Sequence, residues 1–218
     1  MDPDGRIFFN KFEAQFVKEV LGNNGLYIYY TTAYFPFSKD GRSGSFPFVY
    51  GMIFYDKATY NNPIENGKNI FIHEIFHQVQ YLTNPLSFLK LIEEFGLNNQ
   101  MANEGSIIGS VTLTRHDEST YKKYFYDGIT KEDYTYGYEK WNLSKMKNYN
   151  NLSDLPYFES QAQFVGDYAE LYFNERYGES GNDYDRKRLY QMSRIMSNSG
   201  YENTEAVKWC QENLKDYQ

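Results

Sequence analysis

Two histidines four residues apart, in a stretch with helical apolar periodicity, constrain this chain of 218 residues more than any other feature. Residues 73–77 read His-Glu-Ile-Phe-His. Apolar side chains recur around them at the spacing of a core helix, which we predict from about Lys68 to Thr83. These apolar positions are Ile72, Ile75, Phe76, Val79 and Leu82. A neighbouring stripe carries His73, His77 and Gln80, and because polar groups inside a core need partners, the fold must supply partners for both imidazoles.

A metal ion is one such partner. Side chains four apart lie on one face of a helix, so both imidazoles can bind a single ion. Glu74 lies beside them, where its carboxylate can take a proton from a metal-bound water. In a chain with only three histidines, about 0.003 matches to His-Glu-x-x-His are expected by chance. The pattern therefore predicts a Zn²⁺ site, and a simple packed pair of histidines is the alternative.

A catalytic zinc site has three protein ligands and one open position for water, so a further ligand must come from elsewhere in the chain. Glu159 is the preferred candidate, at the start of a helix predicted over Tyr157–Arg176. Ala162 and Gly166 follow it on the same helix face and leave room for a second helix. The other candidates that the sequence leaves open are His116, Glu104, Glu93 and Glu94.

Other residues are candidates for supporting roles. Gln80, Asp167 and Glu170 could hydrogen-bond a ligating imidazole and orient it. His116 or a tyrosine from the run at 134–138, Tyr138 among them, could stabilise the oxyanion of a transition state.

The remaining pattern predicts a single α+β domain over residues 7–218, with a small antiparallel sheet packed on a helical core. Two Tyr-rich and Ile-rich stretches are predicted as strands, Leu26–Thr32 and Phe46–Tyr55. The other predicted helices are Ile7–Leu21, Leu86–Phe95, Asp185–Met196 and Thr204–Lys215.

Composition excludes several functional classes. A net charge of −7 and a pI near 5.1 argue against nucleic-acid binding, which needs clustered cations. The single cysteine excludes a disulfide framework and a multi-cysteine zinc site. No apolar run is long enough for a membrane-spanning helix. The 23 Tyr, 17 Phe and 2 Trp are expected to fill the core, with a carbohydrate- or peptide-binding surface around Tyr124, Phe125 and Tyr126 as the alternative.

The two motifs together resemble the gluzincin superfamily of zinc metallopeptidases, which have a thermolysin-like, zincin-type core. The chain is most similar to small bacterial metallopeptidase-like domains with HExxHxxQ and a downstream ExQAxxVxDY, here from His73 to Gln80 and from Glu159 to Tyr168. This resemblance implies a hydrolase of peptide bonds with His73, His77 and Glu159 as ligands and Glu74 as general base. It also implies that the strand before the metal helix is an edge strand that aligns an extended protein or peptide substrate.

A second resemblance lies at the start of the chain. Residues 2–6, Asp-Pro-Asp-Gly-Arg, are similar to the segment that ends the conserved core of RHS-repeat proteins, after which variable and often toxin-like domains begin. Residues 1–6 would then be the end of an upstream region or an artificial start. The resemblance implies a bacterial domain exported or delivered as part of a larger protein, with a cognate immunity or inhibitor protein as a partner. An export signal is not expected in this chain itself.

Overall fold

The computed structural model describes residues 10–37, 43–45, 51–83, 141, 143–155, 158–178 and 181–218. Its helices are α1 (Lys11–Thr31), α2 (Lys57–Asn61), α3 (Pro63–Thr83), α4 (Leu143–Met146), α5 (Phe158–Tyr177), α6 (Asp183–Met196) and α7 (Glu205–Asn213). Its strands are β1 (Ala33–Phe37), β2 (Gly44–Ser45) and β3 (Met52–Asp56). A π-helical segment, Ser197–Tyr201, follows α6. The described part is mainly helical with a small sheet, which agrees with the α+β prediction.

The sheet has the strand order β1-β3-β2. The central strand β3 is parallel to β1, with Ala33 opposite Met52, and antiparallel to β2. The prediction of an antiparallel sheet is therefore wrong for the longer of the two pairings. Side chains alternate between the two faces in both kinds of strand, so an alternating pattern carries no information about strand direction.

The predicted strand Leu26–Thr32 is also wrong, because these residues continue helix α1 up to Thr31. Gly22 has φ 69° and kinks the helix where we predicted its end, and the chain then resumes a helical path. Gly25, Ile28 and Tyr29 are buried at helical spacing, and the Tyr29 hydroxyl donates to Glu13 Oε2 at 2.7 Å, which joins the two halves of the helix. Burial of this face overrides the β preference of its residues.

Aromatic rings fill much of the core, as the composition predicts. On the sheet, Tyr34 and Tyr55 stack with their ring centroids 5.9 Å apart, and both are buried. Tyr55 also contacts Phe71 of helix α3 and donates its hydroxyl proton to the Phe71 carbonyl at 2.9 Å. The sheet is thus joined to the helix that carries the two histidines. The alternative binding surface at 124–126 lies outside the described residues.

Helix α5 packs along helix α3, and this is the most extensive contact between described elements. Gln161, near the start of α5, contacts Gln80, near the end of α3. At the opposite ends, the ammonium group of Lys68 lies 5.2 Å from the ring centroid of Phe173. The two helices therefore run antiparallel.

The other helix predictions have mixed outcomes. The helices predicted from Lys68, Tyr157, Asp185 and Thr204 are confirmed, with ends that shift by a few residues. Helix Leu86–Phe95, residues 1–9 and residues 46–50 of the predicted second strand lie outside the described residues. The extent of the domain, 7–218, stays a prediction.

Within the described ranges, no helix combines the length and apolar character that crossing a bilayer requires.

Two ionisable side chains, the buried Cys210 and the half-buried Tyr201, lead us to expect that the folded protein becomes less stable towards unfolding at alkaline pH. Burial raises the pKa of the Cys210 thiol from 9.0 to about 12 and that of the Tyr201 hydroxyl from 10.0 to about 12. Above their ordinary pKa values, these groups ionise in the unfolded chain but stay protonated in the folded one. Unfolding then releases protons, so the free energy of unfolding falls as pH rises, by about 1.4 kcal/mol per pH unit for each such group.

Urea unfolding followed from about pH 8 to about pH 11 measures this slope. Replacement Cys210→Ala is the control, because it removes the part of the slope that begins near the ordinary pKa of a thiol. A free energy of unfolding that is constant over this range would contradict the prediction.

Candidate metal centre

The predicted motif residues come together in the second half of helix α3. One ligand atom from each of His73, Glu74 and His77 can be chosen so that all three atoms lie within 4.8 Å of one another. All three side chains are buried, with 5–8% of their surface exposed. Two nitrogens and a carboxylate oxygen therefore lie close together in the protein interior, and this donor set suits a divalent transition metal.

The imidazole geometry fits a zinc ion. The Nε2 atoms of His73 and His77 lie 3.1 Å apart. Two nitrogens bound to zinc at 2.0–2.1 Å in tetrahedral geometry are about 3.3 Å apart. The separation of the two nitrogens therefore suits two ligands of one ion, and the two rings are nearly perpendicular, at 83°.

Three further side chains hold His77 in place, two by direct contact and one through a neighbour. His77 Nδ1 lies 2.8 Å from Gln80 Oε1, and the Gln80 amide nitrogen donates to Gln161 Oε1 at 3.0 Å. The His77 ring also stacks on Tyr81, at 6.0 Å between ring centroids and 8° between planes. Because His77 is fixed on two sides, its Nε2 has a defined direction.

Helix α5 comes very close to helix α3 at Gly166. A Cβ atom at this position would lie 2.6 Å from the Asn69 carbonyl oxygen and 3.2 Å from His73 Cβ. Ala162 and Ala169, on the same face, are fully buried. The predicted close approach along Ala162 and Gly166 is confirmed, and it brings α5 level with the first histidine.

Two of the three acidic candidates on this helix can be described. Asp167 is buried and accepts a hydrogen bond from Gln163 at 2.7 Å, while Glu170 is half-buried. Asp167 does not join the cluster of His73, Glu74 and His77. Glu159 lies in the first turn of α5, and its side chain is outside the description. Its role as third ligand stays a prediction.

The remaining candidates lie outside the described residues. They are Glu93, Glu94, Glu104, His116 and the tyrosines of 134–138, including Tyr138. The choice among third ligands and oxyanion donors is therefore not changed by the structure.

Gln161 and Tyr81 hold His77 in place, although the sequence pattern predicts no role for either. Gln161 was visible only as part of the downstream motif, two residues after Glu159. Tyr81 follows His77 by four residues, the spacing at which side chains stack on a helix. That spacing was available in the sequence, whereas the contact between Gln161 and Gln80 spans 81 positions and depends on how the helices pack.

Two cavities differ in their relation to the histidines. One of about 450 Å³ is lined by Gln80 and Gln161 and extends to Phe76 and Tyr201. A larger one of about 750 Å³ lies between the kink of α1 and the π-helical segment, and its lining includes no residue of the His73, Glu74 and His77 cluster. Neither lining includes His73, Glu74 or His77, and the smaller cavity is related to them only through Gln80, which contacts His77.

The edge of the sheet is also close to this centre. The Tyr81 hydroxyl donates to the Ser45 carbonyl at 3.2 Å, and the Gln78 amide donates to Ser45 Oγ at 2.6 Å. Strand β2, which contains Ser45, is therefore next to helix α3. The expectation that the edge strand belongs to Phe46–Tyr55 is wrong for β3, which is central in the described sheet.

Comparison of the chain with protein-family models, with curated proteins and with solved structures gives no match.

The approach at Gly166 predicts that this position does not tolerate a side chain. Replacement Gly166→Ala adds a methyl group against the Asn69 carbonyl, which is backbone and cannot move aside. We expect the free energy of unfolding to fall by about 1–3 kcal/mol, although alanine is the better helix former. Chemical unfolding measures it. Gly181→Ala is the control, because its methyl group would meet a side-chain oxygen of Glu175 at 3.1 Å rather than backbone, and greater stability of Gly166→Ala would contradict the prediction.

Proposed function

We propose that this chain is a zinc-dependent metallopeptidase domain, with His73, His77 and Glu159 as ligands and Glu74 as general base. The observation that carries the proposal is the buried pair of Nε2 atoms at 3.1 Å with the Glu74 carboxylate beside them. Zinc in such a site supplies Lewis acidity, which favours loss of a proton from water and polarises a carbonyl group.

The chain's own residues have distinct tasks in this mechanism. The imidazoles of His73 and His77 hold the ion through their Nε2 atoms. The Glu74 carboxylate takes the proton of the attacking water and later gives it to the leaving amine. Burial of Glu74 limits the water that competes for its carboxylate. A further donor is needed for the oxyanion, and His116 and Tyr138 stay the candidates.

A peptide substrate is supported by the position of the sheet edge. Strand β2 lies at the edge of the described sheet and contacts Tyr81, which in turn stacks on His77. An extended peptide can add to an exposed strand through main-chain hydrogen bonds. A substrate bound in this way would run past the histidine pair.

The proposal also includes how the domain reaches its substrate. We propose that a bacterium delivers it as a toxin-like domain and that an immunity protein is its partner.

The burial of His73, Glu74 and His77 favours a second function. In this alternative, zinc only holds the helices together, and the domain binds a partner without catalysis. Structural zinc sites are closed by four protein ligands, whereas catalytic sites keep one position for water. Asp167, which is buried on the adjacent helix, or His116 would supply the fourth ligand. X-ray absorption of the zinc-loaded protein separates the two, since four protein ligands without water would favour the interaction domain.

The ligand assignment predicts which variants lose zinc. His73→Ala, His77→Ala and Glu159→Ala are each expected to lower the zinc content of the purified protein to below one-tenth of the wild-type value, because a three-ligand site does not hold the ion with two. Metal analysis by mass spectrometry measures this. Glu65→Ala is the control, as Glu65 is exposed at the start of the same helix. Loss of zinc in His116→Ala but not in Glu159→Ala would overturn the assignment of the third ligand.

The general-base role predicts a different outcome for Glu74. Replacement Glu74→Gln keeps the size of the side chain but removes the proton acceptor, so zinc content should be retained while peptide hydrolysis falls by about 10²–10⁴-fold. Cleavage of a mixed peptide library, read by mass spectrometry, measures this, with Glu65→Gln as the control. A zinc-loaded Glu74→Gln protein with full activity would exclude this mechanism.

A further inference from the structure

We propose that Gln80 and Gln161 form a directional hydrogen-bond relay that holds His77 in the tautomer with its proton on Nδ1. The Nε2 lone pair then faces the position of a divalent cation before any ion binds. Both glutamines are positioning residues. The inference rests on the proposed function only for the identity of the ion, because the relay is a property of the metal-free protein.

The relay begins at a group that can only accept a hydrogen bond. The Leu155 carbonyl, just before helix α5, accepts from the Gln161 amide nitrogen at 2.9 Å. An amide side chain has a donor end and an acceptor end of nearly equal shape, and only the donor end can bond a carbonyl. Gln161 must therefore turn its Oε1 away from Leu155.

The orientation passes from one amide to the next. Gln161 Oε1 lies 3.0 Å from Gln80 Nε2, and because this oxygen only accepts, the donor end of Gln80 must face it. The Oε1 of Gln80 is then directed at His77 Nδ1, at 2.8 Å. A carbonyl oxygen at that distance requires a proton on Nδ1.

A neutral imidazole carries a single proton, so Nε2 of His77 has a free lone pair. This lone pair points at Nε2 of His73, 3.1 Å away, which must donate the proton of that contact in the metal-free protein. For an ion to bind between the rings, only His73 must change, because its proton has to move from Nε2 to Nδ1 to leave the Nε2 lone pair for the ion. His77 needs no rearrangement, because it already presents the atom that binds.

Gln161 is what makes the relay directional. A Gln80 amide turned the other way would present its NH₂ group to Nδ1, which would place the imidazole proton on Nε2 and block binding. Gln161 prevents this because its own orientation is set by a backbone carbonyl. The packing of α5 on α3 thereby determines the tautomer of a residue on α3.

Nitrogen-15 NMR of the metal-free wild-type chain tests the first step. The chemical shift separates protonated from unprotonated ring nitrogens, and three histidines give a spectrum that single substitutions can assign. With both imidazoles neutral, we expect His77 to have a protonated Nδ1 and an unprotonated Nε2. A wild-type His77 protonated on Nε2 would overturn the proposal without the use of any variant.

Two variants then test the direction of the relay. Gln161→Met has nearly the same shape but cannot orient Gln80, so His77 should become a mixture of tautomers. Adding Gln80→Glu to that variant should restore the Nδ1–H form, because both oxygens of a carboxylate accept. Gln191→Met, on helix α6, is the control and should leave His77 unchanged. A purely structural role for Gln161 predicts no restoration, and that result would contradict the relay.

Zinc affinity provides an independent measurement. We expect Gln161→Met to raise the dissociation constant for Zn²⁺ by about 10- to 100-fold, the range found when partners of ligating histidines are removed, and the added Gln80→Glu to recover most of it. If the wild-type chain shows the expected tautomer but binds no zinc, the proposed function fails and the relay stands. If zinc binds and Gln161→Met changes neither tautomer nor affinity, the relay fails and the function stands.

Discussion

The close packing of α5 on α3 at Gly166 is the contact on which the rest of the arrangement depends. It brings the backbone of Asn69 within van der Waals reach of the other helix, at a distance that a side chain would not permit. With the helices held this close and antiparallel, Gln161 meets Gln80. Any increase in the separation of the helices would break this amide contact, because hydrogen bonds tolerate only a few tenths of an ångström.

Helix α3 is held from several directions, and this explains how it can keep polar groups buried. Tyr55 of the sheet bonds the Phe71 carbonyl, and Tyr81 and Gln78 contact Ser45 of strand β2. On the other side, α5 covers His73 through Gly166. Buried imidazoles and a buried carboxylate are expensive to desolvate, so they persist where neighbours are rigid and a charged ligand compensates them. The same rigidity suits a site that must present fixed nitrogen atoms.

The predictions from the sequence succeeded where the pattern was long and strongly periodic. Helices α3, α5, α6 and α7 follow from apolar spacing, and the grouping of His73, Glu74 and His77 follows from helix geometry alone. The prediction failed at Leu26–Thr32, where Tyr and Ile suggested a strand while burial of Ile28 and Tyr29 required a helix. It missed strand β1, and it was wrong about an antiparallel sheet for the pairing of β1 with β3, since strand alternation is the same in parallel and antiparallel pairs.

The sequence by itself determined that the three motif residues of the candidate metal centre lie together, because their spacing within one helix places them together in any fold that forms that helix. It also indicated, through Ala162 and Gly166, that another helix could approach closely. Only the tertiary structure decided which residues that approach brings together. The contact from Gln161 to Gln80 joins positions 81 apart, and the orientation of each amide depends on its neighbour and finally on the Leu155 carbonyl. No local pattern encodes such a chain of contacts, because each member acquires its direction from a residue distant in the sequence.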